Sequence, residues 1–129
     1  MNTPQKALII DDENHIRKYI NLVLRSLGVA TIYEATNGAE GVETYAREQP
    51  DLVLLDVNMP VMDGIETLRH IRDLNTNACV IMLTSLATRH TIEEAADGGA
   101  LHYIRKDTQR DELIALLTDL LAEKHHILN

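Results

Sequence analysis

Five short apolar runs, each followed by an amphipathic stretch, constrain this chain more than any other feature. The runs are Ala7–Ile10, Thr31–Ala35, Leu52–Leu55, Ala78–Leu83 and Leu101–Ile104, mostly β-prone and bounded by turn-forming or charged residues. Those at 7–10, 52–55 and 78–83 are continuous rather than alternating, the pattern of strands covered on both faces. Between the runs the spacing turns helical. Ile16, Ile20, Val23, Leu24 and Leu27 keep a helical period, and Gly28 is placed to end that helix. A second helix is expected from about Ala39 to Glu48, stopped by Pro50. A third follows Asp63-Gly64, with Ile65, Leu68 and Ile71 on one face. A fourth covers Thr88–Asp97 and ends at Gly98-Gly99. The fifth starts after Thr108 or Asp111 and turns Leu113, Leu116, Leu117 and Leu120 inward.

Alternation of this kind with short connections predicts an α/β fold: a doubly wound (βα)5 unit whose parallel sheet is covered by helices on both faces. The expected strand order is the flavodoxin-like 2-1-3-4-5. With 129 residues the chain fits one domain, expected to have a structured core over residues 5–122. Residues 123–129 read as a frayed tail or the start of a connection to another domain.

Composition narrows the function. The formal net charge of −8 opposes direct binding to nucleic acid or to an anionic membrane surface. Four Tyr with no Trp or Phe leave almost no stacking platform for bases. The longest apolar run, Ala78–Leu83, is too short to cross a bilayer. A single cysteine, Cys79, forms no internal disulfide and reads as a small buried hydrophobe. Residues 1–10 lack the layout of a signal peptide, so a cytoplasmic location is expected. The six histidines show no metal-binding spacing.

In open parallel sheets the ligand site lies beyond the carboxyl ends of the strands, where the strand order reverses. Here that point falls between the first and third strands. The first ends in Asp11-Asp12-Glu13 and the third in Asp56, so carboxylates from distant segments converge. Taken alone, Asp11-Asp12 is an ordinary helix start, because Asp favours N-caps. Crowded together, these acids repel, and exclusion of water strengthens the repulsion. Either some stay protonated or a cation binds, and oxygen-only ligands with open water positions suit Mg²⁺. Thr84 and Lys106, at the ends of the fourth and fifth strands, add a hydroxyl and an ammonium group at the same rim. Such a set makes sense for phosphoryl transfer. A carboxylate attacks phosphorus while the cation and the lysine offset charge on the equatorial oxygens.

Four segments resemble the motifs of response-regulator receiver domains in order and spacing. They are Leu8–Glu13, Leu54–Pro60 with Asp63-Gly64, Met82–Ser85 and Tyr103–Lys106. The resemblance spans nearly the whole chain. It implies that Asp56 is the phosphoacceptor, that Asp12 binds Mg²⁺ directly, and that Asp11 acts largely through water. The backbone carbonyl of Asn58 becomes a further metal ligand, Thr84 the switch hydroxyl and Lys106 the phosphate-binding cation. Tyr103 becomes the aromatic ring that turns inward when Thr84 moves toward the phosphate. The implied donor is a phosphohistidine on a sensor histidine kinase or a phosphotransfer protein. The implied output is a changed face on the fourth helix, fifth strand and fifth helix, read by a downstream protein, an output domain or a phosphorylation-dependent dimer. Asn58, Ser85 and Leu86 line the expected approach to the acyl phosphate.

One departure stands out. Receivers usually carry proline after the lysine, often through a cis peptide, whereas this chain has Asp107. A trans bond is expected here, since a cis bond before a non-proline residue costs about 2.5–4 kcal/mol. Asp107 is also placed to pair with Lys106, and Arg105 is an unexplained charge on an edge strand.

Three other readings share the sequence. A flavodoxin-type FMN carrier needs a phosphate cradle where Asp-Asp-Glu stands. A Mg²⁺-dependent phosphohydrolase with an aspartate nucleophile commonly has a second acid where Asn58 stands. A receiver that no longer accepts phosphate would serve only as a docking module.

Overall fold

The computed structural model describes residues 5–59, 62–85 and 88–128, with side chains as far as Ala122. The elements run β1 (Lys6–Ile10), α1 (Asn14–Ser26), β2 (Thr31–Ala35), α2 (Gly38–Glu48), β3 (Leu52–Asp56), α3 (Gly64–Leu74), β4 (Val80–Thr84), α4 (Arg89–Asp97), β5 (His102–Arg105) and α5 (Arg110–Leu128). All strand pairs are parallel, in the order β2-β1-β3-β4-β5. The expected fold class and strand order are therefore those of the molecule.

The continuous apolar runs divide by alternation between two cores. Ala7, Ile9, Leu52, Leu54, Ile81 and Leu83 face α1 and α5, where Ile20, Leu24, Leu113 and Leu117 meet them. Leu8, Ile10, Val53, Leu55, Val80 and Met82 face the other way, against Ile65, Leu68 and Ile71 of α3 and Ala95 of α4. Each central strand thus has no solvent face, which is why its sequence carries no polar alternation. The edge strands β2 and β5 are partly exposed.

Local chemistry sets the boundaries. Gly28 takes φ 93° just past α1, and its glycine permits that left-handed turn. Asn37 and Asp63 cap α2 and α3, accepting N–H bonds from Glu40 (2.8 Å) and Glu66 (2.9 Å). Two strands shift from expectation. β4 begins at Val80 because the Ala78 N–H closes a turn onto the Asn75 carbonyl at 3.1 Å. β5 reaches Arg105, which pairs in register with Thr84. Residues 123–128, expected as a tail, continue the helical backbone of α5. Among the described residues no helix is long and apolar enough to cross a membrane.

Candidate functional site

Ile10 pairs with Leu55 across β1 and β3, so the next residues, Asp11 and Asp56, emerge side by side at the carboxyl edge of the sheet. Asp11 has no exposed surface. Its N–H donates to the Ala35 carbonyl at 3.1 Å, and its Oδ1 accepts the Glu13 N–H at 2.8 Å. Its carbonyl accepts from Arg17 Nη1 at 2.7 Å. Only Oδ2 is left, buried and without a hydrogen bond. Lys106 Nζ stands 2.8 Å from it as an ion-pair partner.

Asp56 is only 2% exposed. Burial first, and the neighbouring Asp11 charge second, push its carboxyl up to about 7, against the pull of Lys106 and the Asn58 N–H. That N–H reaches Asp56 Oδ1 at 3.2 Å. Asp12, exposed at the rim, completes a group of three acids whose oxygens lie within 4.8 Å of one another. A buried carboxylate oxygen met by the Lys106 ammonium, a carboxyl held up near neutrality and a third acid at hand together fit a hard divalent cation. The oxygen-only donor set suits a hard ion such as Mg²⁺ and not a thiophilic metal.

Lys106 supplies the countercharge that the chain itself provides. Besides Asp11, its Nζ lies 3.1 Å from Glu13 Oε1 and 3.2 Å from Asp56 Oδ1. Burial alone would depress its ammonium, but the three carboxylates outweigh that and raise it. The backbone helps, since the Lys106 N–H donates to the Thr84 carbonyl at 2.6 Å. Thr84 is fully buried, one residue beyond Leu83, the register partner of Asp56. Asn58 and Ser85 are exposed beside the same rim, while Leu86 lies outside the described residues. Tyr103 is half-buried, and its hydroxyl donates to Thr91 Oγ1 at 3.0 Å.

The pairing expected between Asp107 and Lys106 does not form. Asp107 instead receives both Arg105 Nε and Nη2 at 3.1 Å, a bidentate fork on the outer side of the turn. Its neighbours in sequence pair with each other, and Lys106 points inward between them to the acids. No cis peptide bond occurs among the described residues, so the Lys106–Asp107 bond is trans. The departure from proline leaves the lysine at the acids.

Two contributors escaped the sequence reading. Arg17, 9% exposed, reaches Asp11, Glu34 and Asn14 from α1. It stands three residues before Ile20 and seven before Leu24, so the helical period itself places it on the buried face. Thr91 joins Tyr103 to the capping box at the start of α4, where Thr88 and Thr91 exchange side-chain and backbone bonds. No sequence signal separates this threonine from an ordinary helix residue.

A family model described as response regulator receiver domain matches residues 7–118. The chain is 34% identical over 116 residues to chemotaxis protein CheY of Bacillus subtilis, covering 90% of this chain and 97% of that one. It is 38% identical over 109 residues to sporulation initiation phosphotransferase F of the same organism, covering 84% and 87%. Among solved structures, a CheY-like receiver domain from Methanospirillum hungatei superposes with a TM-score of 0.87 at 26% identity, over 95% of this chain and 97% of that one. A CheX–CheY–BeF3–Mg²⁺ complex from Borrelia burgdorferi superposes with a TM-score of 0.84 at 31% identity, over 89% and 87%.

Proposed function

The chain belongs to the response-regulator receiver family, and we propose on that premise that it is a phosphorylation-dependent switch of a cytoplasmic two-component phosphorelay. In this reading residues 5–122 form one receiver unit. Asp56 accepts a phosphoryl group from a phosphohistidine of a sensor kinase or phosphotransfer protein. An oxygen of its carboxylate forms the new O–P bond as the N–P bond of the donor breaks. The observation that carries the proposal is the convergence of Asp11, Asp12, Asp56 and Lys106 at one strand edge.

Each residue has a task that its position supports. Asp11, Asp12, Asp56 and the Asn58 carbonyl hold Mg²⁺. When bound, that ion supplies the countercharge which keeps Asp56 ionised and offsets charge on the transferring group. Lys106 turns from the carboxylates to an oxygen of the arriving phosphoryl group. The Thr84 hydroxyl bonds another, and Tyr103 leaves Thr91 to turn inward. The face of α4, β5 and α5 then changes its affinity for an output protein, an output domain or a second copy. The chain is a phosphoacceptor that assists its own phosphorylation and dephosphorylation, not an enzyme turning over a separate substrate.

Incubation with Mg²⁺ and acetyl phosphate, followed by intact-mass measurement, tests the proposal. The unmodified protein is expected to gain one phosphoryl group and Asp56→Asn none. Equal labelling of the two would overturn the assignment, and steady turnover of a small phosphoester would favour a phosphohydrolase.

A further inference from the structure

We propose that Arg17 is a positioning residue for the metal site, acting through Asp11 and itself held by Glu34; the proposal rests on the receiver reading above. Arg17 is a buried cation that none of the steps assigned so far uses. Its guanidinium spans three elements. Nη1 donates to the Asp11 carbonyl at 2.7 Å, Nε to Glu34 Oε1 on β2 at 3.1 Å, and Nη2 to Asn14 Oδ1 at 3.1 Å. Glu34 is fixed in turn by Asn21, whose Nδ2 donates to Oε2 at 3.2 Å.

The arrangement leaves Asp11 one free direction. Its N–H, its carbonyl and its Oδ1 are all engaged by Ala35, Arg17 and Glu13. The remaining oxygen, Oδ2, is buried, lacks a hydrogen bond and faces Lys106 and Asp56. The Arg17 bond falls on the turn where the chain leaves β1, so it fixes the angle from which the carboxylate enters the site. A planar fork holding a carbonyl and a carboxylate at once is a task an ammonium cannot reproduce. Neighbours on the same face, Ile20 and Leu24, are apolar, so packing alone does not call for a buried charge here.

The test is the magnesium affinity of the full chain, read from backbone amide shifts of residues 11, 12 and 56 during titration. Arg17→Lys keeps the charge and loses the fork, and its affinity is expected to fall by about tenfold or more, the usual effect of removing a group that orients a metal ligand. Ile71→Val, a core change on the opposite face of the sheet, serves as the comparison: it should lower stability and leave the affinity unchanged. A folded Arg17→Lys protein with the affinity of the unmodified chain would overturn the proposal, as would a loss no larger than that of Ile71→Val. Glu34→Gln gives a second reading should Arg17→Lys fail to fold. A several-fold loss is expected, and unchanged affinity overturns the proposal. Absence of any magnesium response in the unmodified chain would remove the metal site and this role together, a pattern distinct from an unaffected variant.

Discussion

Lys106 Nζ and Asp11 Oδ2, on residues that follow two different strands, lie 2.8 Å apart in a setting where the aspartate has no exposed surface and the lysine side chain is 9% exposed. The lysine therefore places a positive charge among the buried acids. Lys106→Met leaves Asp11 and Asp56 facing each other without the ammonium that pairs with both. Removing one partner of a buried pair costs at most about 3–5 kcal/mol, less here because Asp56 can take up a proton. Urea unfolding at neutral pH in EDTA should show that loss, and added Mg²⁺ should recover part of it. An unchanged midpoint would mean that the ammonium does not stabilise the acids.

The raised carboxyl of Asp56 gives stability a pH dependence with a definite sign. Its folded value, about 7, exceeds that of an unfolded aspartate, so the folded state holds the proton more tightly. The stabilisation is complete below the ordinary carboxylate value of about 4 and is lost as pH rises from there through about 7. Unfolding midpoints of the metal-free protein should fall over that window, and Asp56→Asn should flatten the slope. Magnesium needs the ionised carboxylate, so its apparent affinity should weaken as pH drops below that value.

Gly64 opens α3 against the backbone of Asp56 and Val57. A Cβ there would overlap the Asp56 carbonyl oxygen and come within 2.6 Å of Val57 Cα. Both are backbone atoms that cannot swing aside. Gly64→Ala is expected to cost about 1–3 kcal/mol, the range for overpacking a tight interior. It should also slow phosphorylation by acetyl phosphate by displacing Asp56. A thermal scan and a labelling time course check the two effects separately.

Thr91 serves both the α4 capping box and the Tyr103 hydroxyl. Thr91→Val removes both bonds at nearly constant volume. A loss of about 0.5–1.5 kcal/mol is expected for each hydrogen bond removed, with faster amide exchange at the start of α4. Thr91→Ser should retain most of both. Tyr103→Phe should leave the cap intact and so separate the two contributions.

The fold was legible because five short apolar runs, three of them unbroken, have few other uses, and the strand ends carried the acids with them. Asp11, Asp12 and Asp56 could be placed from topology alone, since β1 and β3 must be neighbours at the point where the order reverses. The partner of Asp107 was open for a geometric reason. Whether it meets Lys106 or Arg105 depends on the direction in which the turn after β5 sends alternate side chains, which composition does not encode. Arg17 was passed over because a charge in an amphipathic helix is usually solvated, although its spacing from Ile20 and Leu24 placed it inward. The bond from Tyr103 to Thr91 depends on how α4 packs against β5, a tertiary relationship with no local signature.

In the proposed reaction the Asp56 side chain itself becomes esterified, with the acids and Lys106 around it. Reductive trapping tests it most directly. After incubation with acetyl phosphate and Mg²⁺, borohydride converts an aspartyl phosphate to homoserine, and peptide mass mapping locates the product. Homoserine at position 56, absent when Mg²⁺ is chelated, is the predicted result. Homoserine at another position, or none in a protein that has gained phosphate, would rule out Asp56 as the acceptor.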